Sequence, residues 1–240
     1  MSDVSPSVTN PPQPPPPPSS TRPTFDFVKP FAFTFEDPEW VQKVLLGGVF
    51  VLASVAIVGI FFLYGYMARL VRNVVEGVQH PLPAWDDLGD YFVEGLRLFA
   101  VAIVYAIPVI VLVVVFIVPS IVMQATDSEF FRGAGEVMAG CVWCLMFPIS
   151  LAMGIWLPAA LLMAAVDRQF AAAFDYRRIW NFIRANAGNY ILAYVVWLVA
   201  RFIAPFGLAL LCIGIVFTMF WSFVVGAYSF AQTYRLASTR

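Results

Sequence analysis

Residues 81–99 read PLPAWDDLGDYFVEGLRLF, and residues 100–123 continue AVAIVYAIPVIVLVVVFIVPSIVM. The first stretch holds four acids, Asp86, Asp87, Asp90 and Glu94, within nine residues, and the second holds no charge. A helix needs about 20 consecutive apolar residues to cross the hydrocarbon layer of a bilayer. The densest acidic cluster of the chain therefore abuts its most apolar run. That junction points to an all-α, integral membrane helical bundle. Composition agrees: of 240 residues, 61% are hydrophobic and only 12% charged, with a mean hydropathy of +0.81. Soluble domains carry about 25% charged residues. A net charge of −1 offers no basic face to nucleic acid. The opening MSDVSPSV has neither the basic nor the apolar region of a cleaved signal, so insertion is expected to use the first spanning helix.

About five transmembrane helices are expected within a membrane domain at 41–235, near 44–68, 98–123, 137–166, 190–211 and 215–234, followed by a short tail at 236–240. Pro108 and Pro119 fall in the second span and Pro148 and Pro158 in the third; membrane helices tolerate such residues where neighbours satisfy the freed carbonyls. The third span is too long for a straight crossing and is expected to kink, tilt or end in the interface. The last two spans turn either at Cys212-Ile213-Gly214, which balances their lengths, or at Pro205-Phe206-Gly207, which uses the breaking residues. Glycines 47, 48, 59, 65, 135, 140 and 154 suit close helix packing.

Residues 1–23 contain nine prolines, including PPQPPPPP at 11–18. This composition predicts an extended polyproline tail, disordered or serving as a docking arm. Residues 24–40 follow as an aromatic arm. Phe25, Phe27, Phe31, Phe33 and Phe35 alternate like one face of an extended strand, and Trp40 closes the run. Aromatics just ahead of a span anchor at the headgroup level, and the same strip is a candidate partner-docking arm. Asp37-Pro38-Glu39 reads as a helix start, with Asp as cap and Pro at the first position.

Taken as a helix, residues 86–99 place Asp86, Asp90, Glu94 and Arg97 on one arc and Leu88, Tyr91, Phe92, Gly95, Leu96 and Phe99 on the other. DYRRIWNFIRANAGNY (175–190) places Tyr176, Ile179, Trp180 and Ile183 on one arc and Arg177, Arg178, Asn181 and Arg184 on the other, with Phe182 off the pattern. Both are expected to be interfacial amphipathic helices. One is acidic and the other basic, and each connects a long span to a proline-containing one, so the chain reads as a weak internal duplication. The two connectors are expected to face each other, with Asp86, Asp87, Asp90 or Glu94 pairing with Arg177, Arg178 or Arg184. Arg69 and Arg72 are rival partners. Five spans put Arg69, Arg72, Arg97, Arg168, Arg177, Arg178, Arg184, Arg235 and Arg240 on one side and Arg22, Lys29, Lys43 and Arg132 on the other. That distribution predicts a cytoplasmic C-terminus and an external tail; an even number of spans would move the tail to the other side.

Little in the chain carries chemistry. Cys141-Val-Trp-Cys144 has redox spacing without the strand–helix context of a redox motif, and these cysteines are expected to be small apolar residues of a packed helix. With His80 as its one histidine, the chain lacks a zinc set. Arg201 is the candidate intramembrane site, about 16 Å past Tyr190 at 1.5 Å per residue. It lies near the midplane if the chain turns at Cys212 and snorkels to the surface if it turns at Pro205, with Glu136 as its candidate partner. No catalytic, metal or cofactor-binding residues are assigned, and no enzyme activity is expected.

FEDPEWVQKVLLGG (35–48), GYMARLVRNVVEGVQHPLPAWDDLGDYFVEGLRLF (65–99) and AAFDYRRIWNFIRANAGNYILAYVV (172–196) together resemble the prokaryotic membrane-protein family known as domain of unknown function 4013. The resemblance extends over about 31–235 and is most specific in LPAWDDLGDYFVEGL. It implies a polytopic inner-membrane protein and supplies no catalytic residues. The expectation is a non-enzymatic structural or accessory subunit of a larger membrane complex, of the respiratory or photosynthetic kind. Its partners would be membrane lipids and other membrane subunits, with bound lipids or neighbouring pigments in place of a cofactor. The alternative is a small transporter or channel for a lipid or anionic solute.

Overall fold

Inside a bilayer the backbone must satisfy its own polar groups, and a helix does so within one segment. The computed structural model describes residues 24–209 and 213–239, and among these its regular structure is all helical, with no strand. The proline-rich tail, Arg22, the Cys212 turn and Arg240 lie outside the described residues. The helices are α1 (Lys29–Glu36), α2 (Trp40–Ala53), α3 (Val58–Glu76), α4 (Leu88–Leu112), α5 (Val118–Gln124), α6 (Glu129–Asp167), α7 (Tyr176–Ala185), α8 (Ala187–Ile203) and α9 (Gly214–Ser238). Five stretches are long and apolar enough to cross a membrane: α3, α4 with α5, α6, α8 with the 3-10 turns that follow it, and α9. The chain is a multi-pass membrane protein.

The first span departs from the sequence reading. Residues 44–68 form two helices that turn back on each other at Ser54–Ile57. Ile57 adopts φ +67°, and Phe50 packs on Phe62 at 4.9 Å across the hairpin. The extra arm reverses the expected position of the N-terminal segment. Phe33 stacks on Tyr228, just past the middle of α9, at 4.2 Å, and Lys43 reaches the carbonyl of Leu82 at 3.2 Å. The N-terminal segment thus folds back along α9, with Lys43 on the same side of the hairpin as the loop that follows α3.

The aromatic arm is helical where an extended strand was expected. Residues Lys29–Glu36 wind into α1, which starts with Pro30 in its first turn. Phe33 is 2% exposed. Phe31 and Phe35, one helical turn apart, both approach Trp221, at 6.1 and 6.4 Å. Phe27 and Phe35 remain exposed, and Trp40 meets Phe35 edge-on at 5.1 Å. Asp37 does not cap α2 at the expected place, since the helix begins three residues later at Trp40. Asp37 is instead buried, accepting the Glu39 N–H at 2.9 Å and facing Lys43 Nζ at 2.7 Å.

The segment 86–99 does not lie apart in the interface. From Leu88 it forms the first turns of α4, which runs unbroken through Pro108. One π turn, Val113–Ile117, precedes Pro119. Proline cannot donate to the carbonyl four residues back, and the widened turn absorbs that defect. α6 runs unbroken through Pro148 and Pro158. At 1.5 Å per residue, α4–α5 and α6 are about 55 and 58 Å long, against about 28 Å for α3 and 26 Å for α8. Their distal halves therefore project beyond the shorter hairpins. Val115, Phe116, Ile121, Phe130, Trp143 and Phe147 are exposed there. α9 is the central post, with Phe220, Val224, Val225 and Ala231 fully buried. Its Ser229 and Thr233 hydroxyls donate to the carbonyls of Val225 and Ser229. This back-bonding satisfies polar groups inside a buried helix.

Candidate functional site

PLPA at 81–84 is a loop whose first three residues are buried. A buried loop needs a partner for every carbonyl, and here four successive carbonyls receive side chains from three helices. Asn73 Nδ2 donates to Pro81 O (2.9 Å), Lys43 Nζ to Leu82 O (3.2 Å), the Tyr66 hydroxyl to Pro83 O (3.0 Å) and the Tyr91 hydroxyl to Ala84 O (2.5 Å). The two prolines have no N–H to satisfy, which suits them to this buried position. Trp85 stacks on Tyr66 (4.3 Å) and Phe50 (4.5 Å), and its Nε1 donates to Lys43 O at 3.0 Å. The loop thereby ties α2, α3 and α4 together.

Asp87 then caps α4, accepting the Asp90 N–H at 3.1 Å. One turn further on, Glu94 is buried, with Arg72 Nη2 at 2.6 Å from one oxygen and Arg168 Nε at 3.1 Å from the other. Arg69 and Arg168 each approach Asp90 at 3.9 Å, and Arg69 lies 5.5 Å over the Tyr91 ring. Three guanidinium groups thus meet two carboxylates. Arg168 follows α6 in a left-handed conformation, φ +53°. Its neighbour Asp167 takes a two-pronged contact from Arg178, one arm at 3.2 Å, and Arg178 also donates to the Tyr234 hydroxyl at 3.3 Å. The hydrogen bonds and charge of Asp167 raise the Arg178 pKa above its ordinary value.

The expected pairing between connectors is therefore corrected. Among the described residues no acid of 86–94 pairs with Arg177, Arg178 or Arg184; Arg69 and Arg72 take Asp90 and Glu94 instead. The two connectors join indirectly, through Asp167 and Arg168 at the end of α6, residues the sequence reading had not singled out as a site. Asp86, Arg177 and Arg184 form no ion pair among the described residues. α7 stands as a separate helix that buries Ile179 and Phe182. Phe182, which broke the sequence pattern, is part of its buried stripe, while Tyr176 and Trp180 are exposed.

Arg201 sits in the last turn of α8, 5.1 Å over the Phe223 ring. It forms no ion pair with Glu136, which is exposed near the start of α6. α8 ends at Ile203, and 3-10 turns carry the chain past Pro205 to Ala209 within the same apolar stretch, while the Cys212 turn lies outside the described residues. Cys141 and Cys144 are exposed on α6 and do not pack within the bundle. Glycines 47, 48, 59, 65 and 135 lie in close contacts, whereas Gly140 and Gly154 face open space.

Above the ion cluster lies an apolar cleft of about 450 Å³ that sequence reasoning did not reveal. α2, α3, α4, α6, α8 and α9 enclose it, through Val51, Tyr64, Leu98, Leu161, Trp197 and Phe230 among others. Its volume falls in the range of about 300–1,000 Å³ that ligand sites occupy. Ala68, Val71, Leu98 and Ala165 form the end next to the cluster, where Arg72 Nη1 donates to the Ala165 carbonyl at 3.2 Å.

The family model described as protein of unknown function, DUF4013, matches residues 48–213, more than half of the chain. The chain belongs to that family. The DUF4013 match takes in the α2–α3 turn, the PLPAW loop, both arms of the long hairpin, and α7 and α8. It is shorter than the 31–235 read from the sequence and leaves α1 and α9 outside. No curated protein and no solved structure matches the chain.

Proposed function

We propose that this is a non-enzymatic membrane protein that takes the apolar chain of a lipid into the cleft between its helices, as a binder or carrier. The cleft carries the reading. It is large enough for a long hydrocarbon chain, its wall is almost wholly apolar, and residues from both halves of the sequence line it. The short helices leave its surroundings within reach of the bilayer, where an apolar cleft holds a chain by van der Waals packing along its length rather than by removal from water. On this reading α7 lies flat in the headgroup region, with Tyr176 and Trp180 as interfacial anchors. The arginine-rich end lies on the cytoplasmic side of a prokaryotic inner membrane, in line with the positive-inside rule. The two similar halves act as walls of one site.

A second reading is supported by a different observation. The distal α4–α6 hairpin exposes apolar side chains all round, as a structural or accessory subunit of a larger membrane complex would for its neighbours. Purification in a mild detergent, followed by lipid extraction and mass spectrometry, separates the two. About one lipid per chain on a lone, monodisperse protein supports the lipid carrier. Stoichiometric subunits or pigments with an empty cleft would overturn it in favour of the accessory subunit.

A further inference from the structure

We infer that the occupant of the cleft is an acidic phospholipid of the bilayer, with its phosphate held at Arg168. This rests on the lipid-binding reading above and adds the chemistry of the head. The end of the cleft formed by Ala68, Val71, Leu98 and Ala165 adjoins the ion cluster, and Arg72 bonds the Ala165 carbonyl there. A chain filling the cleft would bring its polar end to that cluster. Arg69, Arg72 and Arg168 face Asp90 and Glu94, three guanidinium groups to two carboxylates within ion-pair distance. Arg72 is spent inside the protein, 11% exposed and committed to Glu94 and Ala165. Arg168 is the accessible one: its side chain is 56% exposed, Nε holds Glu94, and its Nη2 lies 3.9 Å from Asp90, beyond hydrogen-bond distance. A planar guanidinium with free N–H groups matches a phosphate diester. A zwitterionic head cancels its own charge and would gain less.

Native mass spectrometry of the full chain tests this, with phosphatidylglycerol and phosphatidylcholine of identical acyl chains offered at equal concentration. The wild type should retain phosphatidylglycerol by about tenfold over phosphatidylcholine. Arg168→Gln should bring the ratio close to one, and Arg168→Lys should keep most of it. On the wild type alone, the preference should shrink as salt is raised. An equal ratio in the wild type, or one unchanged in Arg168→Gln, overturns the anionic head and leaves a neutral chain in the cleft. Leu161→Trp, which fills the cleft wall, should lower retention of both lipids together. Retention untouched by that substitution overturns occupancy of the cleft itself, so the two readings fail separately.

Discussion

Arg72 Nη2 lies 2.6 Å from Glu94 Oε2, between side chains that are 11% and 6% exposed. The pair links α3 to α4. A buried ion pair is costly to break from one side, by about 3–5 kcal/mol, where the remaining charge stays unpaired. Glu94→Ala strips the buried Arg72 of its carboxylate and should lower unfolding stability in detergent by that order; Arg72→Ala should cost less, because Arg168 still lies 3.1 Å from Glu94. Arg72→Met combined with Glu94→Leu should recover most of the loss. Thermal unfolding of the two single variants and the double variant checks this, and a double variant no more stable than Glu94→Ala would refute the pairing.

The PLPAW loop gives a second, independent test. Tyr66→Phe and Tyr91→Phe keep the aromatic packing and remove the donors to Pro83 and Ala84. Each leaves a carbonyl unsatisfied and should cost about 1–3 kcal/mol. Trp85→Ala also removes two stacked contacts and should cost about 3–5 kcal/mol. Unfolding midpoints that rank Trp85→Ala as the mildest of the three would contradict the account of the loop as a brace.

Gly65 and Gly95 mark the closest approach of α3 and α4. A Cβ on Gly65 would collide with the Tyr91 carbonyl, and one on Gly95 with the Phe61 carbonyl. Both obstacles are backbone, which cannot swing aside. Gly65→Ala and Gly95→Ala should sharply reduce the monodisperse fraction on gel filtration. Gly140→Ala and Gly154→Ala, with open space around them, should match the wild type or improve on it, since alanine favours helix.

The class of the fold was legible because a bilayer demands long apolar runs, and α4–α5, α6, α8 and α9 carry them in plain view. The α2–α3 turn was not. VLASVAIVGI contains no proline, and the residue at the bend is Ile57, a β-branched side chain in the left-handed region. Local propensity assigns no turn there; tertiary packing of Phe50 on Phe62 and Trp85 holds it. The arm at 24–40 misled by its alternation. Phe31 and Phe35 are spaced by four as well as by twos, and the helical spacing prevails because Trp221 receives both. The acids at 86–94 were legible as a junction, but their partners were not. In the sequence Arg72 stands only as a rival partner and Arg168 only among the charges that set orientation, since a choice among nearby arginines depends on helix crossings that the sequence does not encode locally. The cleft depends on six helices at once and leaves no linear signature.

The α2–α3 hairpin has a consequence for sidedness. With one crossing over 44–68, Lys29 would face the side opposite the end of α9. The hairpin instead folds the N-terminal segment back along α9, where Phe33 stacks on Tyr228. In a background with Cys141, Cys144 and Cys212 changed to serine, Lys29→Cys and Ser238→Cys should react with a membrane-impermeant maleimide from the same side of sealed vesicles. Asp127→Cys, in the turn between α5 and α6, should react from the other side. Labelling of Lys29→Cys together with Asp127→Cys would mean that α2 and α3 form one continuous span and that the α1–α9 contact is wrong. The α2–α3 arrangement is thereby open to a direct test that does not depend on knowing the ligand.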